Sequence, residues 1–155
     1  MVVNAPGALA KADTQATATI GQTFKYRITV PATPVSVPLY DVRILDDLRG
    51  SAANLSFVSA NVVSGGTWTL TNTGTSTNIV LQDTAAGIDI PAGGQAVIEI
   101  TVVLQDTSTN RAGLTFTNRA SYTYDKINGL TASQGTGIAG TSAPMTVVEP
   151  ALAIA

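Results

Sequence analysis

An amine, a carboxylic acid and a carboxamide occupy positions of this chain where strand periodicity calls for apolar side chains. In "LTFTNRASYTY", residues 114–124, Leu114, Phe116, Ala120, Tyr122 and Tyr124 share one parity, and Thr115, Thr117, Arg119, Ser121 and Thr123 share the other. Successive side chains on a strand point to opposite faces, so the even set should face a core, and Asn118 belongs to it. In "YDVRILDD", Asp46 has the parity of Tyr40, Val42 and Ile44, while Asp47 should face out. In "GALAKAD", Lys11 goes with Leu9, against Ala8, Ala10 and Ala12. A buried amide without a partner costs roughly 1–3 kcal/mol. Pointing into one core from three strands, the three could satisfy each other.

They could also react. An amine attacking a carboxamide forms a new amide and releases ammonia. In water this is very slow, because an ammonium is no nucleophile and an amide is a poor electrophile. Burial changes both conditions. Desolvation lowers a lysine pKa and supplies neutral amine. It raises an aspartate pKa, so that a protonated Asp46 could hydrogen-bond the Asn118 carbonyl oxygen, polarise it and shuttle protons towards the leaving group. Fixed neighbours replace a chance encounter. The expected product is a Lys11–Asn118 isopeptide bond assisted by Asp46.

The rest of the composition removes most other chemistry. The chain has 155 residues, the size of one domain, with no Cys and no His. Disulfides, thiolate ligands, a zinc site of the usual kind and a Ser-His-Asp triad are therefore excluded. Net charge is −2 with no basic run, so nucleic acid is not an expected partner. Hydrophobic residues at 45% allow a real core, while charged residues at 12% fall well below the usual share of about a quarter. The longest apolar stretch, 96–104, is interrupted by Glu99 and is too short to span a membrane. The start "MVVNAPGALAK" lacks the charged and apolar regions of a signal peptide, and an export signal is expected elsewhere in the parent protein. No cofactor is expected.

The elements that must carry the three residues are strands. "TFKYRITV" alternates Phe24, Tyr26, Ile28 and Val30 against Lys25, Arg27 and Thr29. "AVIEITVVL" alternates Ile98, Ile100, Val102 and Leu104 against Glu99 and Thr101. "LSFVSANVV", "GTWTLTN", "NIVLQD" and "APMTVVE" add shorter apolar runs. Turn signals separate them: Pro31 to Pro38, Gly65-Gly66, Gly87, Gly93-Gly94, Asn128-Gly129 and Gly135 to Gly140. No helical period is comparably strong. The expectation is an all-β protein, an antiparallel immunoglobulin-like β-sandwich of about eight to ten strands. "PGALAKA" from Pro6 and "PALAIA" from Pro150 resemble each other. Residues 1–149 are therefore read as one module, and 150–155 as a linker or the start of a next repeat.

Three of these segments carry a family resemblance. "GQTFKYRITV", "LYDVRILDDL" and "LTFTNRASYTY" resemble recurring blocks of bacterial surface-adhesin and fimbrial repeat domains. Those blocks run Gly-x-x-φ-x-Tyr-x-Ile-x-Val, φ-x-Asp-x-Leu and Asn-x-Ala-x-Tyr/Val, where φ is apolar. The likeness extends from Lys11 to about Tyr124, and is to the isopeptide-forming fimbrial domains and the collagen-adhesin stalk fold. Where family members often follow the second block with Pro and then Gly, this chain has Arg49 before Gly50. The resemblance implies that a first-strand lysine joins an asparagine of the last sheet, opposite an acid. Position by position these fall on Lys11, Asn118 and Asp46. It further implies a structural stalk module of an extracellular bacterial adhesin or fimbrial protein. Such a module is expected to be monomeric, to adjoin repeats of the same polypeptide, to turn over no substrate and to insert in no membrane; a host or surface ligand would belong to the parent protein.

Blander readings exist for each residue. Asn118 could satisfy backbone groups at a strand irregularity, Lys11 could guard an exposed sheet edge, and Asp46 could be a turn residue in "DDLRG". Lys25, the nearest competing amine, should face solvent. Asp41, Asp46 and Asp47, or Asp83, Asp89 and Asp106, could ligate calcium, but no Asp-x-Asp-x-Asp loop occurs, and no metal is expected. Trp68 is read as packing rather than a sugar platform. The alternatives to a stalk module are a ligand-binding sandwich without a crosslink and a glycan-acting enzyme with paired carboxylates.

Overall fold

The computed structural model describes residues 7–129 and 134–151. The segments read as tandem-repeat ends thus fall partly outside the described residues, at Pro6 and at 152–155. Among the described residues thirteen strands run β1 (Ala10–Asp13), β2 (Thr17–Thr19), β3 (Thr23–Val30), β4 (Tyr40–Asp47), β5 (Leu55–Ser64), β6 (Thr71–Asn72), β7 (Asn78–Gln82), β8 (Ala96–Leu104), β9 (Thr115–Phe116), β10 (Arg119–Asp125), β11 (Gly135–Thr136), β12 (Gly140–Thr141) and β13 (Met145–Val148). One 3-10 turn, Leu48–Gly50, follows β4. Of the long strands, β3, β4, β8 and β10 fall on the segments with the clearest alternation, whereas β5, the longest at ten residues, falls on "LSFVSANVV", read only as a shorter apolar run. The number exceeds eight to ten because five of the thirteen are two- or three-residue pairings formed inside connections.

The strands form three sheets. The first has the order β1-β3-β8-β5, and the second β11-β10-β4-β7-β6 with β12 also on β10. A small third sheet, β2-β13-β9, departs from the antiparallel expectation, since β13 runs parallel to β2. Alternation becomes burial directly. In β3 Phe24, Tyr26, Ile28 and Val30 are buried, and Lys25 and Arg27 exposed. In β8 Ile98, Ile100, Val102 and Leu104 are completely buried. They share one core with Val42, Ile44, Ile79, Leu81, Ala120 and Tyr122 of the second sheet. Each such aliphatic side chain contributes about 1.5–3 kcal/mol on burial. β5 is an edge, and register shifts at Phe57/Ser59 and Val62/Ser64 bend it, a common protection for an uncharged edge strand.

The run Gly135 to Gly140, read as a turn, is instead a closely packed segment. Gly135 and Gly140 pair with β10 as parts of β11 and β12. A Cβ on Gly137 would fall inside the Tyr122 ring, one on Gly135 inside the Tyr124 ring, and one on Gly140 against the Leu9 carbonyl. These glycines supply space, letting two tyrosines and the first strand approach the backbone. The Tyr122 hydroxyl, pinned on the Gly7 carbonyl at 2.6 Å, cannot yield. The first strand is held on both sides: β1 pairs with β3, and Leu9 N–H donates to the Ile138 carbonyl at 2.8 Å.

Gly137→Ala should therefore destabilise the protein by about 1–3 kcal/mol through overpacking. Gly50→Ala, at an exposed position with open space around it, should stay within about 0.5 kcal/mol of the parent. Paired urea titrations check both; equal effects would contradict the close-approach reading.

Candidate functional site

Lys11 is the second residue of β1 and lies opposite Ile28 of β3, on the buried face of a sheet edge. Asp46 is the last inward residue of β4, opposite Ala120 of β10 and Ile79 of β7. Asn118 lies between β9 and β10, two residues before that Ala120 and on the same face. The sequence thus delivers one side chain from the first sheet, one from the second, and one from the link between β9 and β10. Lys11 is 5% exposed, Asp46 0% and Asn118 2%, so burial follows the parity of all three.

Asp46 joins the other two. Its Oδ2 accepts from the Lys11 Nζ, and its Oδ1 accepts from the Asn118 Nδ2 at 2.9 Å. Since both oxygens sit on one carbon, the amine and the amide are held side by side. The Asn118 Oδ1 accepts from the Arg119 backbone N–H at 3.0 Å. Here the structure differs from the sequence-based expectation. The carboxyl meets the nitrogen of the amide, the group that would leave, and a backbone N–H holds the carbonyl oxygen. The Lys11 nitrogen also lies 4.2 Å from the centroid of the Tyr26 ring, a cation–π contact that favours a desolvated ammonium.

Burial dominates the electrostatics of the amine. It pulls the Lys11 pKa down, against the charge and hydrogen bond of Asp46 and the charge of Asp13, which push it up. Burial holds the Tyr26 phenol above its ordinary value, with the charges of Asp13 and Asp46 acting in the same direction. The Asp13 pKa is raised by burial, partly offset by the nearby Ser142 side chain and the charge of Lys11.

Sequence reasoning missed the surroundings of the three. Asp13 has the parity of Leu9 and Lys11, a signal that could have found it. Ser142 had no such signal, because it follows a glycine-rich run without periodicity. Its hydroxyl accepts from the Asn118 N–H at 2.9 Å, and its N–H donates to the Asn118 carbonyl at 2.8 Å.

Four other acids, Asp41, Asp47, Asp83 and Asp89, are engaged elsewhere. Asp47 accepts from Arg49 around the 3-10 turn. Asp83 accepts from the N–H groups of Thr69, Ala85 and Ala86, which lowers its pKa. A cleft of 460 Å³ is lined by Asp41, Arg43, Asp83, Asp89 and Asn128 among others. Within it Arg43 pairs with Asp41, and Asp89 accepts from the Asp41 N–H at 2.9 Å. Among the described residues no group of three or more His, Cys, Asp or Glu is placed to hold a metal ion. Trp68 packs on the core, its ring covering Gly66. Among the described residues no helix is long and apolar enough to cross a membrane.

No protein-family model and no curated protein matches the sequence. Solved structures do match in shape. The N-terminal domain of the Streptococcus gordonii adhesin Sgo0707 is 12% identical, with a TM-score of 0.54 over 92% of this chain and 32% of that one. The Actinomyces fimbrial adhesin FimA is 11% identical, with a TM-score of 0.52 over 86% of this chain and 56% of that one. AvmM, which catalyses macrocyclization in alchivemycin A biosynthesis, is 11% identical, with a TM-score of 0.52 over 95% of this chain and 91% of that one. The chain thus spans about a third of the adhesin chain and about half of the fimbrial one. At these identities the likeness is one of architecture, and the chain is an immunoglobulin-like β-sandwich resembling domains of bacterial surface adhesins and fimbriae.

Proposed function

We propose that this chain is a structural stalk module of an extracellular bacterial adhesin or fimbrial protein, closed by a self-formed isopeptide bond between Lys11 and Asn118. One observation carries the reading. A single buried carboxylate, Asp46, holds an amine from the edge strand β1 and a carboxamide from the link between β9 and β10. The shared architecture with adhesin and fimbrial domains supports the setting at the cell surface. No outside substrate is consumed; the only reaction is one event within the chain.

One proton passes from the Lys11 ammonium to Asp46, leaving a neutral amine and a carboxylic acid. Nζ attacks Cγ of Asn118, whose carbonyl oxygen is held by the Arg119 N–H. Asp46, already on Nδ2, gives that nitrogen its proton and takes one from Nζ. The Cγ–Nδ2 bond breaks, the Nζ–Cγ amide remains, and ammonia departs. The proton left on Asp46 leaves with it as ammonium or stays on the buried acid. Proximity and desolvation supply the acceleration.

Such a bond closes a loop of about 100 residues, which by analogy with a disulfide adds on the order of 4–5 kcal/mol. Unlike a disulfide it resists reduction, which suits a chain without cysteine. It also ties β1 to the second sheet, so that a pull on the first strand passes into Asn118 without loading the β1–β3 hydrogen bonds alone.

Intact-mass measurement should find the chain lighter than its sequence by one ammonia; the full calculated mass would remove the crosslink. Asp46→Ala should restore the full mass and lower Tm, on the order of 10 °C for a domain of this size; an unchanged mass deficit would make Asp46 a bystander.

With the bond blocked by Asn118→Ala, Lys11 remains a free buried amine. Its folded pKa lies below the ordinary 10.5, so between the two values the folded chain binds fewer protons than the unfolded one. Stability therefore rises with pH across that window. Urea midpoints should climb as the pH approaches 10.5 from below, relative to a chain that lacks the amine and shares the same tyrosine ionisation. The added substitution Lys11→Met should flatten the climb; matching slopes would show that the amine is not desolvated.

A further inference from the structure

Asn118 belongs to no strand, so the ladder between β10 and β4 does not fix its peptide groups. They are fixed by one residue. Ser142 receives the Asn118 N–H on its hydroxyl oxygen at 2.9 Å and returns its own N–H to the Asn118 carbonyl at 2.8 Å. A serine hydroxyl is a rotor with one proton. Turned the wrong way, it would present that proton to the Asn118 N–H, and two donors would meet. Asp13 is the carboxyl that acts on this hydroxyl, since Ser142 offsets part of the rise that burial causes in the Asp13 pKa. Asp13 ends β1 on the same face as Lys11, and its Oδ1 is buried without a hydrogen-bond partner. A buried polar atom left unmatched in a native structure calls for a reason beyond stability.

We propose that Asp13 and Ser142 are positioning residues that set the Asn118 carboxamide for attack by Lys11. The inference rests on the crosslink reading and extends it to two residues outside the reacting three. Asp13 holds Ser142, Ser142 holds the Asn118 backbone at both its N–H and its carbonyl, and the side chain then places Nδ2 on Asp46 and Oδ1 on the Arg119 N–H. One strand thereby brings the amine and orients the amide. Docking of β1 becomes the condition for both, so the amide is presented correctly only once the amine has arrived.

The test follows the loss of ammonia by intact mass in freshly purified full chains. Ser142→Ala and Asp13→Ala should slow it by about 100-fold, the scale expected when a reacting group is misplaced by about an ångström. Ser142→Thr, which keeps the hydroxyl, and Asp13→Asn, which keeps an acceptor oxygen, should recover most of the rate. Packing alone would not predict that rescue. Parental rates in the two alanine variants, or failure of both conservative variants to recover, would overturn the proposal. Should Ser142→Ala not fold, the Asp13→Ala and Asp13→Asn pair decides. Should the parent chain itself carry its full mass, the crosslink reading fails, and positioning is read separately. Asn118 then keeps its Nδ2 protons, and their hydrogen exchange in 15N spectra should be several-fold faster in Ser142→Ala than in the parent. Equal exchange would overturn the proposal on its own terms.

Discussion

A carboxyl group sealed from water must be matched by donors, and Asp46 is matched by two, the Lys11 amine and the Asn118 amide. Breaking a buried charge pair by removing one partner costs about 3–5 kcal/mol, far more than an exposed pair is worth. The consequence runs through the fold. β1 has four residues and sits at a sheet edge, a place where short strands fray. Here it carries the only amine that reaches Asp46 among the described residues, so leaving the sheet would strand a charge. The Tyr26 ring beneath the amine and the Ile138–Gly140 segment beside Leu9 complete its seat.

The polar layer is expensive in a second sense. Asp13 Oδ1, Tyr26 and Asp125 Oδ2 contribute buried polar atoms with no hydrogen-bond partner among the described residues. A sandwich that needed only stability would do better with apolar side chains of similar volume. Two of those three residues adjoin the Lys11–Asp46–Asn118 layer. Clustering of cost is typical of a site where geometry serves chemistry.

Shape and chemistry carry separate weights in the functional reading. The architecture is shared with an adhesin domain, a fimbrial adhesin and an enzyme that closes a macrocycle. A β-sandwich of this kind supports unrelated activities. What favours a load-bearing role is local: an amine from β1 and an amide from the link between β9 and β10 on one acid, in a chain with neither Cys nor His.

Much of this was legible in the residues. A period of two placed Phe24, Tyr26 and Ile28 inside and Lys25 outside, and the same rule put Lys11, Asp46 and Asn118 on inward faces, because pleat geometry is local and needs no knowledge of neighbours. The glycine run at 135–140 misled for the opposite reason. Glycine marks turns through its backbone freedom, and nothing in one dimension shows that here it makes room for Tyr122, Tyr124 and Leu9. Parallel pairing of β2 with β13, the bonding of Asp46 to the amide nitrogen rather than its oxygen, and the bonding of Ser142 to the Asn118 backbone are likewise relations between distant segments. By itself the sequence determined which side chains face inward. Only the tertiary structure decided which of them meet and through which atoms, since hydrogen-bond partners are set by the packing of sheets whose register no single strand encodes.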